Sequence, residues 1–114
     1  MLPMRPELLK GHLDALLLAV LSEGPRHGYA VIEALRAGSD GVFDLPKGTV
    51  YPALHRLEQA GLVRGSWSTE AGRRRRTYRL TSAGRRRLGT ERDTWQRFSS
   101  AMSAVLEPGP WPAT

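Results

Sequence analysis

The stretch PKGTVYPALHRLEQAG, residues 46–61, decides how the rest of the chain is interpreted. Val50, Leu54 and Leu57 recur at three- and four-residue steps, which places one apolar stripe along a helix. The opposite side carries hydrogen-bond donors, ring systems and positive charge, a combination suited to the major groove of DNA. An ordinary amphipathic surface helix would show the same stripe, so this stretch alone leaves both interpretations open.

The composition favours a small protein that attracts polyanions. The chain has 114 residues, with 17 Lys and Arg against 11 Asp and Glu, and a net charge of +6. This excess does not by itself separate DNA from RNA or an anionic membrane surface. Cysteine is absent, which excludes disulfides and thiol chemistry. The longest wholly apolar run, residues 15–21, is far short of the roughly 20 residues of a spanning helix. We therefore expect no membrane association and a cytoplasmic protein.

Apolar spacing predicts two helices before the central stretch. The first is expected over residues 5–23, ending at Gly24-Pro25, and the second over residues 28–37. The first helix is apolar almost all round, so we expect a second subunit to share it. Gly11 is a weak point in its first turn. Helix, turn, helix, short link and helix is the order of a helix-turn-helix domain whose third helix enters the groove.

After Gly61 the apolar period changes to two, which predicts a β-hairpin. Its strands are expected over residues 62–68 and 75–80, joined by the glycine-containing loop 69–73. The arginine run falls at the tip of this hairpin, where solvated charge is the plain interpretation. Beside a helix that enters a groove, however, Arg73, Arg74 and Arg75 could contact phosphates or a narrow minor groove. Arg76 is expected to face back along its strand.

The last helix is predicted from Ser82 to about Leu106, with Thr81 as its N-cap. Its apolar residues recur at steps of seven, three, four and three, which resembles a heptad seam. About 25 helical residues extend nearly 38 Å, more than so small a domain needs to cover itself. The simplest partner for the seam is a second copy of the chain. The tail, residues 108–114, is expected to be disordered.

Three blocks resemble the PadR family of transcriptional regulators: LKGHLDALLLAVLSEGPRHGYAVIEAL, GTVYPALHRLEQAGLV and GRRRRTYRLTSAG. The resemblance implies a mostly α fold with a small β-hairpin wing. It implies a winged helix-turn-helix over residues 1–80 and a dimerisation helix over residues 81–107, which packs on the first helix of the other subunit. It also implies that the central helix begins near Pro46 or Lys47 and contains Pro52, whereas local rules for proline would start that helix at Tyr51.

The resulting hypothesis is a homodimeric, sequence-specific regulator of double-stranded DNA, most simply a ligand-responsive repressor at a pseudo-palindromic operator. For Arg56, an ion pair with Glu58 or Asp44 is the alternative to a DNA contact. The expected DNA contacts are Lys47, Gly48, Thr49, Tyr51, His55, Arg56, Arg73, Arg74 and Arg75. The expected dimer contacts are Leu13, Leu17, Leu88, Trp95, Phe98, Met102 and Val105.

Trp95 matches, by resemblance, a position at which some small PadR-type proteins stack planar apolar ligands. Phe98, Ser99 and Met102 would line such a pocket, and a plain dimer contact is the alternative. Gly28 and Gly48 are predicted to be positions of close approach.

We find no catalytic, cofactor or metal pattern in the sequence. The three histidines, His12, His27 and His55, lie apart and are expected to be surface or capping residues. Two other functions remain open. One is a basic RNA-binding or architectural module without sequence preference, and the other is a winged-helix adaptor for protein interaction.

Overall fold

The computed structural model describes Leu9, residues 11–107 and Gly109. In chain order its elements are α1 (Leu13–Leu21), β1 (Arg26–His27), α2 (Gly28–Gly38), α3 (Lys47–Gln59), β2 (Val63–Glu70), β3 (Arg73–Leu80) and α4 (Ser82–Leu106). The strands form an antiparallel sheet in the order β1-β3-β2. The predicted class, a mostly α winged helix-turn-helix followed by a long helix, is confirmed. The predicted tail, residues 108–114, lies outside the described residues except for Gly109.

One hydrophobic core joins the three N-terminal helices to the base of the sheet. The stripe predicted on α3 is buried, with Val50 and Leu54 fully enclosed and Leu57 nearly so. Val63 and Leu80 bring the start of β2 and the end of β3 into the same core. The other fully buried large side chains are Leu17, Leu18, Leu21 and Val31.

The predicted dimer contacts need a correction at two positions. Leu17 is 0% exposed and Leu88 is 4% exposed, and both belong to the core of their own chain. Neither side chain therefore offers surface to a partner. Leu13 is partly buried against the same core. The apolar spacing identified these leucines correctly as buried, but it could not distinguish a core within one chain from an interface between two chains.

α1 begins at Leu13, later than the expected start at residue 5. Gly11 has a φ of +90°, which a right-handed helix does not allow, and the amide of His12 donates to the carbonyl of Leu9 at 2.8 Å. The expected weak point at Gly11 is thus a break. Residues 5–8 and Lys10, where the first turns were expected, lie outside the described residues.

β1 was not predicted, because two residues are too few to show a period. Arg26 pairs with Tyr78, and His27 pairs with Thr77, on the free side of β3. His27 is also the N-cap of α2, where its Nδ1 accepts from the amide of Ala30 at 3.3 Å. The prediction that this histidine is a capping residue is confirmed.

The hairpin is longer than predicted, and its arginines lie along a strand. β2 and β3 pair from Val63 and Leu80 outward to Glu70 and Arg73. Ala71 and Gly72, with φ of +49° and +76°, make the turn, and two positive φ angles suit the twist of a two-residue hairpin. The arginine run is therefore part of β3 and does not form the tip. Because strand side chains alternate, neighbouring arginines point to opposite faces.

α3 begins at Lys47 and contains Pro52, as the resemblance implied. Pro46 is the N-cap residue, and its carbonyl accepts from the amides of Thr49 and Val50 at 3.0 and 3.1 Å. The missing N–H of Pro52 removes the helical hydrogen bond that the carbonyl of Gly48 would otherwise receive. Burial of the apolar stripe outweighs this loss, which is why tertiary packing, and not local propensity, decides the start of the helix.

α4 starts on a cap and then leaves the core. The hydroxyl of Thr81 accepts from the amide of Gly84 at 3.0 Å and donates to the carbonyl of Gly61 at 2.7 Å, so the predicted N-cap is confirmed. Leu88 is the last buried residue of the helix. The remaining turns project outward, and the molecule is 69 Å along its longest axis.

Alanine substitution at two glycines of α4 should have opposite effects on stability. A Cβ at Gly84 would collide with the carbonyl oxygen of Leu62, whereas a Cβ at Gly89 meets nothing within 4 Å. We expect Gly84→Ala to lower the free energy of unfolding by about 1–3 kcal/mol. We expect Gly89→Ala to raise it by about 0.5–1 kcal/mol, because alanine loses less backbone entropy in a helix. Urea titration followed by circular dichroism measures both, and equal effects would contradict the packing described for Gly84.

Candidate nucleic-acid interface

The solvent-facing side of α3 carries the side chains predicted to contact DNA. Lys47, Tyr51, His55 and Arg56 are exposed, and Thr49 is half-buried. The buried stripe on the other side of the helix fixes this orientation. Pro46 supplies no side-chain acceptor at the helix N-terminus, so no side-chain cap occupies the first amides of α3. An anion is favoured at this end of the helix.

A groove of about 760 Å³ separates α3 from the hairpin. Its walls carry five cationic side chains and no acidic one, so the potential inside it is positive. His55 and Arg56 lie further along α3 and do not line it. The lining residues are His27, Gly28, Tyr29, Lys47, Tyr51, Trp67, Arg73, Arg74, Arg75, Arg76 and Tyr78.

Aromatic rings hold several of these cations in place. The ammonium of Lys47 lies 5.9 Å from the centroid of the Tyr29 ring. On the opposite wall, the guanidinium of Arg74 lies 4.7 Å from the centroid of the Trp67 ring. Trp67 is 57% exposed and Tyr29 is 51% exposed. A cation over an aromatic face is attracted by the ring quadrupole, so these side chains lose part of their freedom before any ligand arrives.

Of the two glycines predicted to allow close approach, only Gly28 does so within the chain. A Cβ at Gly28 would lie 2.6 Å from Cε1 of Tyr51, so the tyrosine ring packs directly on the start of α2. At Gly48 the space within 4 Å of a Cβ is empty, so no part of this chain approaches it closely, and close approach by another molecule stays a prediction. The open space at Gly48 lies on the exposed side of the first turn of α3.

The three wing arginines differ in how free they are. Arg73 and Arg74 are exposed, whereas Arg75 is half-buried, with its Nη1 3.0 Å from Nε2 of His27. A guanidinium only donates, and a neutral imidazole has one acceptor nitrogen. The amide of Ala30 lies at Nδ1 and the Arg75 guanidinium at Nε2, so in either neutral tautomer the ring accepts from only one of these two donors. Arg75 thus lies against the start of α2 and is partly engaged by the protein itself.

Arg56 forms an ion pair, but with a partner other than the two considered from the sequence. Its Nη2 lies 3.9 Å from Oδ1 of Asp14 in α1. Both side chains are well exposed, so the pair contributes little to stability. Such a weak contact leaves the guanidinium available to another ligand.

Sequence analysis missed the residues that connect α3 to the hairpin. Glu58, on the last turn of α3, forms an ion pair with Arg76 of β3 and accepts from the amide of Gly65 of β2 at 3.3 Å. Arg76 was expected to face back along its strand; it reaches Glu58 of α3 and also lines the groove with the other wing arginines. Burial raises the pKa of the neighbouring Tyr78 hydroxyl, and the charge of Arg76 offsets this only in part. Tyr78 is therefore neutral at pH 7.

A second exposed surface runs along α4. Trp95, Phe98, Met102 and Val105 are 55%, 50%, 43% and 78% exposed, and they form the apolar stripe expected from their spacing. The Trp95 ring lies 5.9 Å from that of Phe98 and meets the His12 ring edge-on at 5.8 Å. Ser99, which was expected beside them, is half-buried, and its hydroxyl donates to the carbonyl of Gln96 at 3.2 Å. Glu91 stands between Leu88 and Trp95 in the register of this stripe, and its carboxylate forms an ion pair with Arg87 one turn earlier, at 2.9 Å.

The part of the chain that the structure describes contains neither a metal-ligand cluster nor a membrane-spanning helix. No three His, Cys, Asp or Glu side chains lie where they could hold a metal ion. None of its helices is both long and apolar enough to cross a membrane.

Comparison with solved structures identifies close relatives of this fold. A transcriptional regulator from Clostridium thermocellum superposes with a TM-score of 0.81 at 25% identity, covering 89% of this chain and 99% of that one. A PadR family transcription regulator from Clostridium difficile gives a TM-score of 0.75 at 30% identity, covering 84% and 99%. A transcriptional regulator of Mycobacterium tuberculosis is 42% identical over 67 residues, which is 59% of this chain and 50% of that protein.

The family model described as the transcriptional regulator PadR-like family matches residues 17–90. This match runs from the middle of α1 through the wing to the first turns of α4, and so it includes the whole candidate interface. Members of the family are DNA-binding transcriptional regulators and not enzymes. Sequence match and fold therefore agree, and the chain belongs to the PadR-like family of transcriptional regulators.

Proposed function

We propose that the protein is a homodimeric repressor that binds a pseudo-palindromic DNA duplex with sequence preference and releases it in response to a planar apolar effector. The observation that carries the proposal is the groove between α3 and the hairpin, which five cations line and no acid does. A regulator of this kind acts where the genomic DNA lies, and we propose the cytoplasm.

Each part of the interface has a role in this proposal. Lys47 and the first amides of α3 hold a phosphate, with the hydroxyl of Thr49 beside them. Tyr51 contacts a phosphate or a thymine methyl group. His55 and Arg56 reach base edges or the backbone further along the helix. Arg73, Arg74 and Arg75 contact the flanking phosphates and the minor groove, where guanidinium groups are favoured.

The apolar stripe of α4 supports the dimer. Large apolar side chains half exposed along several helical turns are typical of a surface that another chain covers. A second copy would bring two α3 helices about one helical turn of DNA apart, which explains why we expect a two-fold symmetric operator. In this arrangement residues 1–80 form the DNA-binding unit and residues 81–107 form the dimerisation helix.

Selection of bound sequences from a random duplex pool tests the proposal. We expect a symmetric motif with half-sites about one helical turn apart. Competition with unrelated duplex at fixed salt distinguishes the other two functions from this one. An architectural or RNA-binding module would release the labelled operator to any competing duplex equally, and an adaptor would not bind the operator at all. Equal affinity for every duplex would contradict the proposal.

Gly48 predicts a variant that is more stable but binds DNA less tightly. Nothing lies within 4 Å of a Cβ at this position, and the backbone is helical. Gly48→Ala should therefore raise the free energy of unfolding by about 0.5–1 kcal/mol. If a duplex approaches the first turn of α3, the added methyl group should cost about 1 kcal/mol or more of operator binding. Urea titration and gel-shift titration measure the two effects, and unchanged operator affinity would remove the first turn from the interface.

A charge introduced at Phe98 tests the proposed dimer interface. Phe98→Asp should split the dimer at micromolar concentration, because a carboxylate in an apolar interface loses its hydration without a partner. Gln96→Asp, on the same helix but outside the stripe, adds the same charge and should leave the dimer intact. Sedimentation velocity distinguishes the two variants. A wild-type protein that sediments as a single chain would overturn the proposed dimer.

The effector is proposed to stack on Trp95 between the two subunits, beside Phe98, Ser99 and Met102. The exposed indole face supports this, since such faces stack planar molecules. The ligand would change operator affinity only as far as it prefers one spacing of the two α3 helices.

Tryptophan fluorescence tests the effector. With Trp67 and Trp111 replaced by Phe, a panel of planar aromatic compounds should quench the fluorescence of Trp95 saturably. Adding Phe98→Asp should abolish this quenching. If no compound quenches Trp95 in the variant that lacks only Trp67 and Trp111, Trp95 is a plain dimer contact.

A further inference from the structure

The last turn of α3 is tied to both strands of the hairpin through one carboxylate. Oε2 of Glu58 accepts from the guanidinium of Arg76 in β3 and from the amide of Gly65 in β2. The Glu58 side chain is 24% exposed and that of Arg76 is 31% exposed. Because α3 and the hairpin form opposite walls of the groove, this contact joins the two walls and restricts their movement relative to each other.

The guanidinium of Arg76 also contacts Gly65 and Trp67 of β2. A Cβ at Gly65 would lie 2.8 Å from Nε and 2.9 Å from Nη2 of Arg76, so the guanidinium in this position packs directly on the Gly65 backbone and would have to shift for a larger residue. The ring of Trp67 lies 5.4 Å from the same guanidinium and also stacks on Arg74. A continuous set of contacts thus runs from Glu58 through Arg76 and Trp67 to Arg74 on the exposed part of the wing.

In each of the other ion pairs of the described residues at least one side chain is about half exposed or more, and none of these pairs joins α3 to the hairpin. The pair between Arg26 and Glu23 joins neighbours in sequence, and the side chain of Glu23 is 71% exposed. The pair between Arg87 and Glu91 lies within one helix. Glu58 and Arg76 instead join two separate elements that face the same groove, and a half-buried charge-assisted hydrogen bond is stronger than an exposed one.

The position of Glu58 is unfavourable on simple electrostatic grounds. A carboxylate next to a groove that attracts phosphates lowers the positive potential there, so removing its charge should tighten duplex binding. We propose that Glu58 is a positioning residue for duplex binding. By holding Arg76, and through Trp67 also Arg74, it fixes the hairpin relative to α3 so that both walls meet the duplex together. This inference rests on the proposed binding of operator DNA.

Glu58→Gln distinguishes a positioning role from a purely electrostatic one, because the two roles predict changes of operator affinity in opposite directions. If Glu58 positions the wing, the variant should bind the selected operator about tenfold more weakly. The ratio of its affinities for the operator and for an operator with altered base pairs flanking the α3 contacts should fall towards one. If Glu58 is only a charge, the variant should bind the operator more tightly. Glu23→Gln is the matched control, since it removes the same charge from an exposed pair with arginine outside the groove.

Trp67 supplies a measurement that needs no DNA. In the ¹H–¹⁵N spectrum of the free protein, the indole N–H signal that Trp67→Phe removes should shift in Glu58→Gln and stay in place in Glu23→Gln. Arg76→Lys keeps the charge but loses the planar fork, so it should shift the same signal and weaken the same flanking preference. Arg76→Lys also serves if Glu58→Gln fails to fold.

The outcomes distinguish this inference from the proposed function. A wild-type protein that binds no duplex selectively overturns the function. A wild-type protein that binds selectively, with Glu58→Gln or Arg76→Lys equal to it or tighter, overturns the positioning role alone. Loss of affinity with the flanking preference unchanged also overturns it, because a general loss of folded protein lowers all affinities together.

Discussion

Burial of one stripe of α3 is the constraint on which the interface depends. Val50, Leu54 and Leu57 lie in the core, and this burial stabilises the helix despite a proline in its interior. With that side fixed, the side chains of Lys47 and Tyr51 have to face solvent. The same core also takes in the start of β2 and the end of β3, so the hairpin is anchored to the helix that it flanks.

Aromatic contacts and one ion pair organise the charge that this arrangement exposes. Five cations around one groove repel one another, and a flexible set of side chains would spread into solvent. Tyr29 and Trp67 hold cations on the two walls, and Glu58 pairs with the half-buried guanidinium of Arg76. The groove is therefore a partly preorganised surface, which lowers the entropy that a bound polyanion must remove.

Sequence patterns predicted the order of the elements and the exposed face of α3, because both follow from apolar periodicity. They did not predict β1, whose two residues carry no period, or the break at Gly11, where a positive φ ends a pattern that looks helical. They misassigned Leu17 and Leu88, since a buried leucine has the same spacing in a core and in an interface. The link from Glu58 to Arg76 was also missed, because it joins residues from separate elements and only the folded chain brings them together.

The turn at Ala71 and Gly72 limits how the wing can vary. A hairpin closed by two residues fixes which arginines of β3 share a face, and a one-residue shift in pairing would exchange the two faces. A single residue inserted within β3 between Arg76 and Leu80 would thus turn Arg74 and Arg76 away from Trp67, whereas one added to the turn would only lengthen the loop. Relatives whose wing strands differ in length should accordingly differ by residues in even number, or carry a bulge that restores the phase.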